Sequence, residues 1–232
     1  MPATLKWLGN ASLRIDSVHG KRVYIDPWIS GPTTPDDERV PEHVDLIALT
    51  HGHIDHLGEA VELSATHQAH VIAQTELTSW LSKNGAHLID PYGMNKGGTV
   101  TYEGISFTMV YASHSSSTPD GTYTGEAVGY VITLEDGKRV YIAGDTDVFL
   151  DMRLIGELYA PDVAVLPVGD RMTMGARQAV KAIELLGVSR VLPVHWDGGD
   201  MIPGRPEHLI GLLPPDGGIE VIQIRQGESF VI

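Results

Sequence analysis

His51-Gly52-His53-Ile54-Asp55-His56 stands directly behind the apolar run Leu46-Ile47-Ala48-Leu49. Imidazole and carboxylate are the side chains that hold borderline divalent metals, and here three imidazoles and one carboxylate are crowded together. A helical zinc site sets its two histidines four apart on one face, whereas His51 and His53 are two apart. Such alternation suits an extended or looped backbone, with Gly52 letting the chain curl so that the ligands point inward. One His-x-His alone would ordinarily be a polar surface loop. Four ligand-type side chains behind a buried strand read as a metal site.

Composition bounds what surrounds that site. The 232 residues suit one domain over 1–232, or two fused half-domains sharing a core, and 42% hydrophobic content fills an interior at that length. A formal charge of -14 argues against a nucleic-acid partner, because phosphate binding needs a basic face. Bound divalent cations would offset part of that charge locally. Without cysteine, any metal must be held by His, Asp and Glu. The start of the chain lacks a charged-then-apolar signal, and no apolar run approaches the roughly 20 residues of a membrane span. The expectation is a soluble, cytoplasmic protein with a small-molecule substrate and no membrane partner; a homo-oligomer stays open.

Alternating and continuous apolar patterns place strands at Thr4–Leu8, Ser12–Asp16, Lys21–Ile25 and Asp45–Thr50. The loop from Ser30 to about Glu42 is a solvated connection or a substrate lid. Helices follow at Glu59–Ala65 and Thr75–Lys83, with a short strand, Val71–Ala73, between them. Strands at Thr99–Tyr102, Ser106–Ala112, Ala127–Leu134 and Arg139–Ala143 fill the middle. Helix and strand then alternate: Val148–Tyr159, Val163–Val168, Ala176–Leu186 with Gly187 as its stop, Arg190–Val194 and Glu207–Leu213. Strands at Gly218–Ile224 and Glu228–Ile232 close the chain.

Gly20-Lys21-Arg22-Val23-Tyr24-Ile25 recurs as Gly137-Lys138-Arg139-Val140-Tyr141-Ile142, and each copy runs on to an aspartate, Asp26 or Asp145. Two hairpins could converge on this pattern; otherwise the chain is two related halves, facing each other with helices outside. Further ligand types stand just past strand ends: His114, Asp145 and His195. Each alone is ordinary, a hydrogen-bonded histidine or a turn aspartate. Seven at four strand ends form a pattern, since rigid strands aim the loops that carry chemistry.

His51-x-His53-x-Asp55-His56 with His114, Asp145 and His195 resembles the signature of the metallo-β-lactamase superfamily. Trp7-Leu8-Gly9, Ile25-Asp26-Pro27, Gly144-Asp145-Thr146, Leu166-Pro167-Val168-Gly169-Asp170 and Thr173-Met174-Gly175 resemble a narrower group, metal-dependent hydrolases near the L-ascorbate-6-phosphate lactonases. The resemblance spans essentially the whole chain. It implies an α/β fold, a four-layer αββα sandwich of two pseudo-related halves, with two divalent metals between them. His51, His53 and His114 would hold one metal, and Asp55, His56 and His195 the other. Asp145 would bridge them. Many relatives have His where this chain has Asn10, which bears on the surroundings of the ligands and on substrate preference.

That resemblance implies a hydroxide held by two metals attacking a carbonyl carbon or phosphorus, with Asp55 and Asp145 as catalytic residues. Zinc is the first expectation, with manganese, iron or nickel as alternatives. In the family, oxygen-reducing di-iron members typically have an acid where this chain has His53, so His53 favours hydrolysis. A lactone or other small ester is the expected substrate; phosphodiester hydrolysis shares the metal core, and a sensor or scaffold that kept its metals without turnover is the non-enzymatic alternative. Asp26 either orients the ligand loop or makes an ordinary Asp-Pro turn. Arg171 either holds an anionic substrate or joins a surface salt bridge. Trp196 either walls the pocket or belongs to the core. Ser115 to Ser117 lack a general base other than histidines needed for metal, which argues against a serine nucleophile.

Overall fold

The Arg-Val-Tyr-Ile repeats form equivalent strands in two sheets. A computed structural model describes residues 1–196 and 198–232. In the first half lie β1 (Thr4–Gly9), β2 (Ser12–Asp16), β3 (Arg22–Ile25), β4 (Leu46–Ala48), α1 (Ile54–Leu57), α2 (Ala60–His67), β5 (His70–Ile72) and α3 (Thr75–Lys83). The second half begins with β6 (Thr99–Tyr102), β7 (Ile105–Tyr111), β8 (Val128–Thr133) and β9 (Arg139–Ile142). It continues through α4 (Met152–Tyr159), β10 (Val163–Pro167), α5 (Ala176–Leu186), β11 (Arg190–Val194), α6 (Pro206–Ile210), β12 (Glu220–Val221) and β13 (Ser229–Val231). The sheets run β13-β1-β2-β3-β4-β5 and β12-β11-β10-β9-β8-β7-β6. The last strand thus crosses back to pair antiparallel with β1.

Alternate side chains of each strand bury on opposite faces, and this divides the interior into three. Leu13, Ile15, Val23 and Ile25 from the first sheet meet Phe107, Met109, Ile132 and Val165 from the second. Tyr24, Ile47 and Val71 point outward and are covered by Leu63 of α2 and by Leu77 and Leu81 of α3. Tyr141, Ala164, Leu166 and Val191 are covered by Ile155 of α4, Ala179 and Ile183 of α5, and Leu209 of α6. Fully burying a leucine or isoleucine contributes about 1.5–3 kcal/mol, so this alternation holds four layers together. The expected αββα sandwich is present.

The sequence echo has a structural counterpart. Both β3 and β9 pair antiparallel with the preceding strand and parallel with the following one. At the start of each, the backbone N–H of Arg22 or Arg139 donates to Asp45 or Asp162, and Lys21 or Lys138 pairs with the same carboxylate.

Four local expectations are corrected. The His51–His56 stretch is not a simple loop, because Ile54–Leu57 winds into a helical turn with His53 at its N-cap. The helix expected from Val148 starts at Met152: Asp147 pairs with Ser113 across a short bridge, and its carboxylate accepts the Val148 N–H, holding that stretch against the His114 loop. The Glu207–Leu213 helix ends at Ile210 before Gly211. Only Glu220–Val221 of the Gly218–Ile224 strand pairs, since Gly218 adopts φ +68° and turns the chain.

Candidate metal centre

β4 ends into Thr50 and His51; the segments after β7, β9 and β11 carry His114, Asp145 and His195. All seven side chains singled out from sequence converge. His51, His53 and His114 form one group, Asp55, His56 and His195 a second, and His51, His56 and Asp145 a third, with the ligand-type atoms of each within 4.8 Å of one another. Asp145 lies at the centre, its Oδ1 3.4 Å from His56 Nε2, and its Oδ2 3.3 Å from His195 Nε2 and 3.6 Å from His114 Nε2. Asp55 Oδ2 is 3.3 Å from His195 Nε2 and 3.6 Å from His56 Nε2. Cavities of about 340 and 380 Å³, beside Leu63 and Thr66 and beside Ile183 and Leu213, share no lining residue with this cluster.

Hydrogen bonds behind the cluster orient it. The buried Asp26 accepts from Thr50 N (2.8 Å) and Thr50 Oγ1 (2.6 Å), and its Oδ2 lies 2.7 Å from His56 Nδ1. Thr50 has one hydroxyl proton and gives it to Asp26, so at 3.0 Å it accepts from His51 Nδ1. One carboxylate thereby sets the tautomers of two histidines and turns both Nε2 atoms inward. Asp26 is more than a turn residue. Asn10 donates to Asp55 Oδ2 at 3.0 Å, and its carbonyl accepts from His195 N and Trp7 Nε1, each at 2.9 Å. Asn10, Asp26 and His195 all have left-handed backbones, φ +47°, +48° and +54°. For non-glycine residues this strain persists only where surrounding bonds hold it, as these do.

Burial and charge divide the ionisable groups. Burial drives His51, His53 and His114 below the usual imidazole range, and His51 far below it, leaving the neutral form a metal requires. Burial pulls His56 the same way, but the Asp145 and Asp26 charges outweigh it and hold His56 well above that range. For Asp145 burial is again overcome, here by His195 and His56, so the carboxyl stays ionised. Asp55 is likewise held below the carboxylate range, by its His195 hydrogen bond and the His56 charge against the cost of burial.

Gly52 acts by its smallness rather than by curling the chain. A Cβ there would meet Thr124 Oγ1 at 2.6 Å and the Ser117 carbonyl carbon at 3.2 Å. Gly52 N also donates to Ser116 Oγ, which bonds Thr124 Oγ1, so the serine hydroxyl is used structurally. Gly52→Ala is expected to cost about 1–3 kcal/mol of stability by overpacking the contact between the two ligand loops. Chemical denaturation reads this directly, and an unchanged midpoint would show that the His114 loop yields freely.

The remaining candidates differ from one another. Arg171 is exposed and neither joins the cluster nor makes a described side-chain salt bridge; its guanidinium donates to the Asp200 carbonyl at 3.2 Å, tying two loops. Trp196 is half-buried against Trp7, ring centroids 5.0 Å apart, and packs on two of the apolar clusters. Thr50, Thr124 and the buried Thr146, whose hydroxyl accepts the Ser113 N–H, escaped the sequence reading, and Ser116 is the structural link rather than a nucleophile. Thr50 and Thr146 adjoin candidate ligands in the sequence, which was a hint; Thr124 adjoins none.

Residues 21–196 match the family described as the Beta-lactamase superfamily domain. The chain is 41% identical over 230 residues to a UPF0173 metal-dependent hydrolase of Koribacter versatilis, with 97% of each chain covered. It is also 41% identical over 233 residues to a UPF0173 metal-dependent hydrolase of Methanosarcina mazei, again with 97% of each covered. Among solved structures, a metallo hydrolase from the hyperthermophilic archaeon Ignicoccus hospitalis aligns with TM-score 0.89 at 31% identity, over 100% of this chain and 99% of that one.

Proposed function

The chain belongs to the beta-lactamase superfamily, and from that premise we propose that it hydrolyses small, neutral esters of the lactone type with two divalent cations, zinc first among them. One observation carries the cation reading. His56 Nε2 and Asp145 Oδ1 are buried without a hydrogen-bond partner, 3.4 Å apart, where unpaired polar atoms are costly. Five imidazoles and two carboxylates form a donor set that zinc accepts.

His51, His53 and His114 would hold one cation, Asp55, His56 and His195 the other, with Asp145 shared between them. When bound, such cations supply Lewis acidity and a water acidified to a pKa of about 7. The chain's own groups prepare for them. Asp26 keeps a proton on His56 Nδ1, and Thr50 keeps one on His51 Nδ1, so both Nε2 atoms face the centre as the positions that would hold a cation. Asp55 and Asp145 remain ionised, the form in which a carboxylate would hold a cation.

The preference for a neutral ester rests on apolar side chains at the C-terminal ends of the strands. Ile54 in α1, and Tyr123, Leu150, Met172 and Met201 in the segments after β7, β9, β10 and β11, are exposed, and the Arg171 guanidinium is turned to a backbone carbonyl. Apolar side chains of this kind suit a lactone or ester with an apolar body better than a charged phosphodiester.

A panel of lactones, thioesters, β-lactams and phosphodiesters on zinc-loaded protein, with elemental analysis, tests the reading. The expected result is turnover with kcat/KM highest for a lactone or ester. The highest value for a phosphodiester would overturn the substrate class. No turnover on any class, with both metals bound, would make the protein a sensor or scaffold.

A further inference from the structure

We infer that Asn10 is a positioning residue for one side of the cluster alone, selecting the Asp55–His56–His195 group over the His51–His53–His114 group. The inference rests on the two-cation reading and adds to it a residue that controls the second cation without being a ligand.

Asn10 reaches that group twice. Its amide Nδ2 donates to Asp55 Oδ2, the same oxygen that faces His195 Nε2 and His56 Nε2. Its carbonyl accepts the backbone N–H of His195, whose left-handed φ of +54° needs a fixed partner. The amide therefore decides which Asp55 oxygen faces inward, and the carbonyl decides where His195 leaves β11. None of the hydrogen bonds described for His51, His53 or His114 involves Asn10.

The chemistry suits the task. An amide N–H on a carboxylate is a charge-assisted bond, directional and strong, yet it adds no charge beside the cation. A lysine there would repel the cation, and an apolar side chain would leave Asp55 free to turn. Asparagine also tolerates the left-handed φ of +47° that this turn requires. The Trp7 indole pins the same carbonyl and packs against Trp196 beside His195, so the turn between β1 and β2 is fastened to the second sheet.

Asn10→Gly isolates the amide, because glycine keeps the left-handed backbone and the carbonyl that serves His195 and Trp7. Stepwise zinc titration against a chromophoric chelator is the first readout, and the cobalt(II) d–d spectrum of each added equivalent is the second. The second equivalent should bind roughly 10- to 100-fold more weakly in Asn10→Gly, the range for lost partners of metal ligands, while the first binds as in the wild type. The cobalt spectrum of the second equivalent should change and that of the first should not. Two equivalents in the wild type, with both weakened alike in the variant or neither weakened, would overturn the role of Asn10 alone. A wild type that takes up one equivalent would overturn the two-cation reading and this inference together.

Discussion

Asp145→Asn is expected to lower kcat/KM for the best substrate of the panel by about a thousandfold while leaving the fold in place. The expectation follows from position. Among the described residues, Asp145 is the carboxylate that faces both three-residue groups, with Oδ1 toward His56 and Oδ2 toward His114 and His195. Asparagine has the same shape, so the surrounding packing survives, but it presents one neutral oxygen where two charged ones stood. On the two-cation reading the change would loosen a cation and with it several kcal/mol of Lewis-acid stabilisation, and about 4 kcal/mol is roughly a thousandfold in rate. The circular dichroism spectrum should match the wild type, because β9 and the αββα core do not depend on this side chain. Zinc content, read by elemental analysis, should fall from two equivalents toward one. Full turnover in the variant would remove Asp145 from the machinery, whatever the metal content.

The cluster was readable from sequence because its signal is chemical. Histidine and aspartate at the ends of strands such as Phe107–Tyr111 and Val191–Val194 are ligand types wherever the backbone goes, and strand ends on one edge of two facing sheets bring them together. The sandwich was readable for a related reason, since the short apolar runs of β3 and β9, buried on both faces, mark strands of covered sheets and the repeated Arg-Val-Tyr-Ile marks their equivalence. What stayed hidden depends on tertiary contacts. Nothing local in Ile54-Asp55-His56-Leu57 announces a helical turn, because four residues make too little helix to show a period. Val148–Asp151 has helical composition, but its backbone is diverted by the bridge between Ser113 and Asp147. The role of Gly52 was misread because glycine advertises freedom, whereas here the requirement is space against Thr124. Thr50 carries no metal-binding signature, and Asn10 stands out in the sequence only against relatives that have His; the contacts of each exist only once Asp26 and Asp55 are placed beside them.

Asp26 gives the second large effect, and its two substitutions should separate stability from metal affinity. Asp26→Ala strips the partners from Thr50 N, Thr50 Oγ1 and His56 Nδ1 at once, in a place where His56 and Asp26 are essentially inaccessible to solvent. It also puts alanine at φ +48°, which costs a further 1–2 kcal/mol or so. Breaking a buried charged pair costs about 3–5 kcal/mol, so the denaturation midpoint of Asp26→Ala should fall steeply. Asp26→Asn behaves differently. Asparagine tolerates the left-handed backbone, and its amide oxygen can still accept from Thr50 N, which turns its NH₂ toward His56 Nδ1. Two donors cannot share that contact, so His56 gives up the proton on Nδ1 and keeps the one on Nε2, the atom that faces Asp145 across 3.4 Å. A protonated Nε2 cannot hold a cation. Asp26→Asn should therefore keep more stability than Asp26→Ala and lose zinc affinity by roughly 10- to 100-fold, directly on the His56 side and through Thr50, whose hydroxyl loses the same acceptor, on the His51 side. Denaturation and zinc titration on both variants read the two effects independently. Wild-type zinc affinity in Asp26→Asn would mean that His56 is oriented by its packing rather than by the carboxylate behind it.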